Sequence, residues 1–210
     1  MTAAELMAEL ANNPDYQRQA KEKEEQRVAI EAKLRQEEAT LVKELVATGI
    51  QIVLDRIPGK EYSGPPRSIS DLVNTNSRYP EAISVLLKHL QLPYSRPIKK
   101  SIVRALTTPD AIGCSSILMD LFEAESDGDS EMKALLGAAI AESATPNEAT
   151  RVVELAKNPS HGRGRSFLPL ALVHCSAEYS ISHLESWRKD PVLGSNARKA
   201  IKLLGRKQTP

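Results

Sequence analysis

The sequence predicts an all-α fold, helical pairs stacked as an α-solenoid, and three observations predict it. Lys99, Lys133, Arg165 and Arg198 each stand three residues ahead of a large apolar residue, Ile102, Leu136, Leu168 and Ile201, at steps of 34, 32 and 33 residues. A period in that range marks units that bury their apolar faces only against their neighbours. No strand-like alternation separates the copies, and proline recurs where five of the helices would begin, some of them preceded by a cap.

Residues 14 to 48 read as one long helix, capped by Asn13, with Pro14 in its first turn and Gly49 at its exit. Its first half is almost wholly polar. Between Gln17 and Glu38, Arg18, Lys21, Lys23, Arg27, Lys33 and Arg35 alternate with Glu22, Glu24, Glu25, Glu31, Glu37 and Glu38, so pairs three or four residues apart must hold it. An apolar stripe of Ile30, Leu34, Leu41 and Leu45 comes later, to lie on the first repeat or on a second copy in a coiled-coil homodimer. Residues 49 to 68 break the pattern: Ile50 to Leu54 suit a short extended segment, and Pro58, Gly59, Gly64, Pro65 and Pro66 an irregular linker. Gly59 and Lys60 lack the leading glycine and following hydroxyl of a phosphate loop.

From residue 69 to 205 the punctuation predicts a repeat domain, with helices near 80–92, 96–107, 109–125, 130–144, 146–157, 163–176, 179–188 and 191–204, and a disordered tail over 206–210. Pro80, Pro97, Pro109, Pro146 and Pro191 stand at helix starts, where a missing N–H costs nothing. Thr108 and Asp190 precede two of them as caps, and Thr145-Pro-Asn-Glu148 forms a capping box. Pro169 should kink the 163–176 helix.

Aligned on the basic residue, the second helices read Lys99, Ile102, Ala105, Leu106; Lys133, Leu136, Ala139, Ile140; Arg165, Leu168, Ala171, Leu172; and Arg198, Ile201, Leu204, Gly205. Small residues between large ones let neighbouring helices approach closely. Leu87, Met119, Val153 and Leu184 supply the partner helices' inner faces. An apolar residue followed by a basic one opens the second helix at Ile98-Lys99, Met132-Lys133 and Ala197-Arg198, with Gly164 in the apolar place before Arg165. In this the chain resembles the HEAT-repeat (armadillo-like) family over residues 80 to 205. Asp127 matches that family's aspartate five residues before the apolar position; Pro93, Pro159 and Val192 do not. The resemblance implies a fold that serves adaptors, nucleic-acid binders and a few enzymes.

Composition narrows the function. Apolar residues make up 41% and charged residues 26%, ordinary for a folded protein, while 4% aromatics leave the core to Leu, Ile, Val and Ala. A net charge of +1 removes any global pull on a polyanion. Cys114 and Cys175 lie far apart, as core fillers in a reducing compartment do, and the opening Met1 to Glu5 carries no leader pattern. The expectation is a soluble cytoplasmic protein that does not enter a membrane.

Two constellations are candidate sites. Lys99, Lys133, Arg165 and Arg198 would form a basic ladder, with Lys100, Arg104, Arg163, Lys199, Lys202 and Arg206 nearby, that follows a phosphate backbone or else caps helices and pairs with neighbouring acids. Ser160-His161-Gly162-Arg163-Gly164-Arg165, at a helix start, would make an anion pocket or else a sharp inter-helix loop. His89, His161, His174 and His183 offer no metal spacing, and Asp127 to Glu131 lacks the glycine and glutamate of a calcium loop. Trp187 with Asp190 is similar to the aromatic and acidic pair of HEAT-like DNA glycosylases, though such a pair also arises by chance. No hydroxyl or thiol nucleophile adjoins a base. The reading is therefore a non-catalytic, cofactor-free and metal-free adaptor or scaffold that binds a protein partner, with a nucleic-acid or phosphate ligand on the basic ladder as the alternative.

Overall fold

A computed structural model describes residues 2, 13–52, 68–75, 78–126 and 130–207. Among them every regular element is a helix: α1 Pro14–Ala47, α2 Pro80–Leu90, α3 Arg96–Ala105, α4 Ser115–Ala124, α5 Ser130–Ser143, α6 Ala149–Lys157, α7 Leu168–Ala171, α8 Ala177–Trp187 and α9 Gly194–Lys207. Tight 3-10 turns occupy Ile69–Asn74, Pro109–Ala111, Pro146–Glu148, Pro159–Phe167 and Leu172–His174. The linker prolines and glycines over 53–67, the expected loop at 127–129 and the last three tail residues lie outside the described residues; residues 50–52 have no regular structure.

The chain divides into two compact units, Met1–Thr40 and Leu41–Pro210, and α1 spans the division. In the first unit the Asn13 side-chain oxygen accepts the backbone N–H groups of Asp15 at 2.9 Å and Tyr16 at 3.2 Å. Arg27 reaches Glu31 at 2.5 Å and also binds Glu24, so the polar helix is laced as its charge pattern requires. Ile30 does not join the expected stripe, standing 59% exposed, because burial on that face begins one turn later.

In the second unit Leu41 and Leu45 are fully buried and start the core. Glu44 fastens this last turn of α1 to α2: its carboxylate accepts the Lys88 ammonium at 2.8 Å and lies 3.2 Å from Nε2 of His89. The buried His89 ring uses its other nitrogen on the Tyr94 hydroxyl at 2.8 Å, which ties down the turn after α2. From there the elements pack in pairs: α2 on α3, α4 on α5, α6 on α7, α8 on α9. The second members also touch in series, α3 on α5, α5 on α7 and α7 on α9. Ile102, Ala105, Leu106, Leu136, Ala139, Ile140, Leu168, Ala171 and Leu172 are all buried along that line.

Many polar side-chain contacts between successive pairs span 29 to 33 residues, while Arg165 to Asp190 spans 25. Arg78 meets Asp110 across 32 residues, Arg96 meets Glu125 across 29, and Lys100 meets Glu131 across 31. Ser115 meets Glu148 across 33, Arg151 meets Asp120 across 31, and Asn196 meets the Ser166 carbonyl across 30. The caps fall where expected. Thr108 accepts the Asp110 N–H, and Glu148 accepts the Thr145 N–H at 2.8 Å.

Several expected helices are corrected. The helix over 109–125 is broken after Ala111 by Gly113, whose φ of +88° suits only glycine. The helix over 163–176 is mostly 3-10: residues 159–167 form tight turns with Gly162 in a left-handed conformation, and only four residues of α7 are α-helical. Pro169 lies in the first turn of α7, where its missing N–H breaks nothing, so it starts that helix and does not kink it. The 69–74 turn is a helical element the sequence pattern did not show, and α9 runs on through Arg206 and Lys207, the start of the expected tail.

The 159–167 segment is short and tight because it lies directly on α5. A Cβ on Gly137 would come within 2.6 Å of the Gly164 carbonyl oxygen, and one on Gly164 within 2.7 Å of the Lys133 side chain. Gly137→Ala or Gly164→Ala is expected to cost about 1–3 kcal/mol by overpacking. That corresponds to a fall in melting temperature of roughly 3–10 °C for a domain of this size. Gly205→Ala, which meets nothing within 4 Å, should cause no fall; equal midpoints for all three variants by calorimetry would refute the close approach.

Candidate functional site

The four residues of the basic register do not form one exposed stripe. Lys99 is half-buried and Lys133 is only 3% exposed, its ammonium 5.6 Å above the centre of the Phe122 ring. Gly164 presses on its aliphatic stem. Arg165 turns inward: Nη1 donates to the Ala156 carbonyl at 2.9 Å, in the last turn of α6, and sits 3.5 Å from Asp190. Arg198 is exposed, yet its Nη1 donates to the Arg188 carbonyl at 2.6 Å, just past the end of α8. Arg165 and Arg198 thus do the same work in successive pairs. Each cation satisfies a free carbonyl at the end of the first helix of its pair and complements that helix's negative pole.

The 160–165 stretch is likewise used from within. The Asn158 side chain accepts the Ser160 N–H at 3.1 Å, and Gly162 turns the chain with a φ of +52°. His161 is buried with its ring edge-on to Phe122, centroids 4.9 Å apart. Because 159–167 is 3-10 turn and α7 has four residues, the expected helix N-terminus with converging backbone donors is not assembled here. Of His161, Arg163 and Arg165, only Arg163 faces solvent.

Trp187 and Asp190 serve the corner between α8 and α9. Trp187 is buried and stacks on His183, which meets Tyr179 edge-on at 5.0 Å, a ring ladder along α8. Burial, with the Lys157 ammonium second, lowers the proton affinity of His183. Asp190 accepts the N–H groups of Val192 at 2.7 Å and Leu193 at 2.8 Å, its expected capping role.

A feature not singled out in the sequence is a cleft of about 290 Å³ lined by Leu72, Tyr79, Thr107, Thr108 and Asp110, with Arg78 at its mouth. Asp110 is its polar centre, its side chain 2% exposed, accepting Nε–H of Arg78 at 2.7 Å and the Tyr79 N–H at 2.9 Å. The Tyr79 hydroxyl donates to the Ala105 carbonyl at 2.8 Å, and burial pushes it up to about 12. Thr75 and Thr107 spend their hydroxyls on Leu72 and Val103 carbonyls. The cleft holds paired groups rather than an activated nucleophile. Only Asp110, two residues after the Thr108 cap, left a sequence signal there.

Among the described residues no group of three or more His, Cys, Asp or Glu side chains is placed to hold a metal ion, and no helix is long and apolar enough to cross a membrane. The chain matches no protein-family model, no curated protein and no solved structure.

Three carboxylates in these corners set the response to acid. Burial works to raise Asp110, Glu148 and Asp190, and their donors outweigh it: Arg78 and the Tyr79 N–H for Asp110, the Ser115 hydroxyl and Thr145 N–H for Glu148, the Leu193 and Val192 N–H groups with Arg165 for Asp190. All three are held below the usual carboxylate range. A depressed carboxylate stabilises fully above its unfolded value, and that stabilisation disappears as pH falls through the folded one. Urea midpoints should hold between about pH 7 and 5 on this account and fall by about pH 3, with a shallower acid loss in Asp110→Asn. A natural chain as stable at pH 3 as at pH 7 would refute the assignment.

The inward reach of Arg165 predicts a contrast with its neighbour. Arg165→Lys should lower stability by about 1–2 kcal/mol, since an ammonium cannot serve a carbonyl and a carboxylate from one planar fork. Arg163→Lys should change the urea midpoint little; equal losses would show that Arg165 is not a clamp.

Proposed function

We propose that residues 69–207 form a HEAT-like solenoid that works as a non-catalytic protein-binding adaptor or scaffold. The observation that supports it is the spacing of most polar contacts between successive pairs, 28 to 33 residues between partners from Arg78–Asp110 through Asn196–Ser166. That spacing lies at or just below the 32 to 34 residues of the sequence register. Contacts that join each unit to the next leave long faces for a partner. Ile112 is 64% exposed, and Leu92, Ile117, Phe167 and Ile181 are exposed as well. Tyr16, Val28 and Ile30 are exposed on α1 in the first unit, where the same reading places a second protein or a second copy. The inward turn of Lys133 and Arg165 favours this function over a phosphate-contacting ladder.

Deleting 158–166 is a poor test, because the segment packs on α5 and its loss would disturb the fold. A surface change is cleaner. Affinity capture from the native host with the full chain and its Ile112→Asp and Ile181→Asp variants should recover a protein whose yield falls about fivefold or more in at least one variant, as loss of a central apolar contact does. Melting temperatures should stay within about 2 °C of the natural chain, as for exposed sites generally. A set of captured proteins indifferent to both substitutions would count against the adaptor.

A further inference from the structure

The cleft of about 290 Å³ between the 69–74 turn and the turn after α3 has one kind of chemistry at its polar end. The Asp110 carboxylate stands there with its side chain 2% exposed; burial works against its charge, and its donors outweigh burial. Tyr79 donates its hydroxyl proton to the Ala105 carbonyl at 2.8 Å, and Thr107 donates its own to the Val103 carbonyl at 3.2 Å. Asp110, Tyr79 and Thr107 therefore offer a ligand acceptors and no donor. Leu72, Val73 and Pro109 add apolar wall beside them.

Among the described residues that line the cleft, Arg78 is the one cation. It reaches Asp110 through Nε at 2.7 Å, yet its side chain is 79% exposed. The cleft stands open with Arg78 in place, so that side chain does not fill it. Removing Arg78 alone would leave a buried charge unpaired, which is costly, whereas exchanging it for a second cation keeps the charge matched. Being mostly in water already, Arg78 gives up little packing in such an exchange. An anion in the same place would meet the charge of Asp110 instead.

We infer that this cleft binds a guanidinium or primary ammonium group on a short alkyl stem, and that Arg78 is a resident stand-in which the ligand displaces. The charged head sits on Asp110 and the stem lies along Leu72, Val73 and Pro109, as the stems of long cations do on apolar surface. The size agrees: about 290 Å³ lies at the lower edge of the range of roughly 300–1,000 Å³ for small-ligand sites, room for one such group. Two sources carry that group, a basic side chain of a bound protein and a free amine or guanidine. The inference goes beyond the adaptor reading and does not depend on it.

The test is an NMR titration of the backbone amides of the full chain at about pH 7, where carboxylates are charged. The probes are n-butylguanidinium, its neutral analogue n-butylurea, and the capped peptide acetyl-Gly-Arg-Gly-amide. n-Butylguanidinium should bind the natural chain with a dissociation constant of about 1 mM, in keeping with its few atoms, and shift the amides of Tyr79, Thr107, Thr108 and Asp110 first. n-Butylurea should bind about tenfold or more weaker, and so should n-butylguanidinium to Asp110→Asn, which lacks the charged acceptor. Arg78→Gln should bind n-butylguanidinium about threefold or more tighter, because the competing cation is gone. Asp120→Asn, a change at an exposed carboxylate on α4, should bind it as the natural chain does. Equal binding of n-butylurea and n-butylguanidinium, an Asp110→Asn chain that binds as well as the natural one, or no gain in Arg78→Gln overturns the inference. The comparison of the two small probes needs no variant, so it decides even where Asp110→Asn fails to fold. Binding of the capped peptide as tight as that of n-butylguanidinium supports the site with a protein side chain as its ligand, and its exclusion supports the site with a free small cation.

Discussion

The second unit depends on one close approach, the passage of 159–167 across α5. Two glycines face each other there, and the space they leave brings the Gly164 backbone against the stem of Lys133. That contact carries others with it. It places Lys133 over Phe122, sets His161 edge-on to the same ring, and aims Arg165 at the end of α6. With only two phenylalanines in the chain, Phe122 is the one that is fully buried, and two cationic or titratable side chains are packed around it instead of further aromatics. A side chain at either glycine would act on that whole group.

The cations that looked like one ladder serve different ends because each meets a different amount of structure. Lys133 is covered by the tight segment, Arg165 reaches a helix end and an aspartate, and Arg198 reaches a helix end from the solvent side. A repeated residue type therefore marks a repeated place in the packing, where a long cation can either cap a helix or remain outside. The two arginines show the capping use most clearly, and the lysine beside Phe122 shows that a chain with few aromatics can still bury a charge on one.

Much of the helical structure was legible in the sequence because its signals are local. Asn13, Thr108, Glu148 and Asp190 cap as their side-chain chemistry dictates, and Pro80, Pro97 and Pro146 stand in first turns. The 32-to-34-residue register reappears in the spacing of side-chain contacts. What failed to show depended on distant residues. The 163–176 helix gave way to 3-10 turns because Gly162 reverses the chain and Gly164 must lie on α5, neither of which periodicity can express. The 69–74 turn is too short for a period, and the Asp110 cleft joins residues more than thirty apart. The anion-pocket reading of 160–165 assumed a longer helix behind it than α7 supplies.

The near-neighbour character of the contacts also bears on how the chain reaches this structure. Each pair is completed by elements about thirty residues away, and the tie from Lys88 to Glu44 spans 44. Chains whose contacts are close in sequence close small loops and assemble quickly, and a nucleus formed in one unit can grow outward to the next. Among the described residues α5 packs on both α3 and α7, so its amide protons should be among the last in the second unit to exchange.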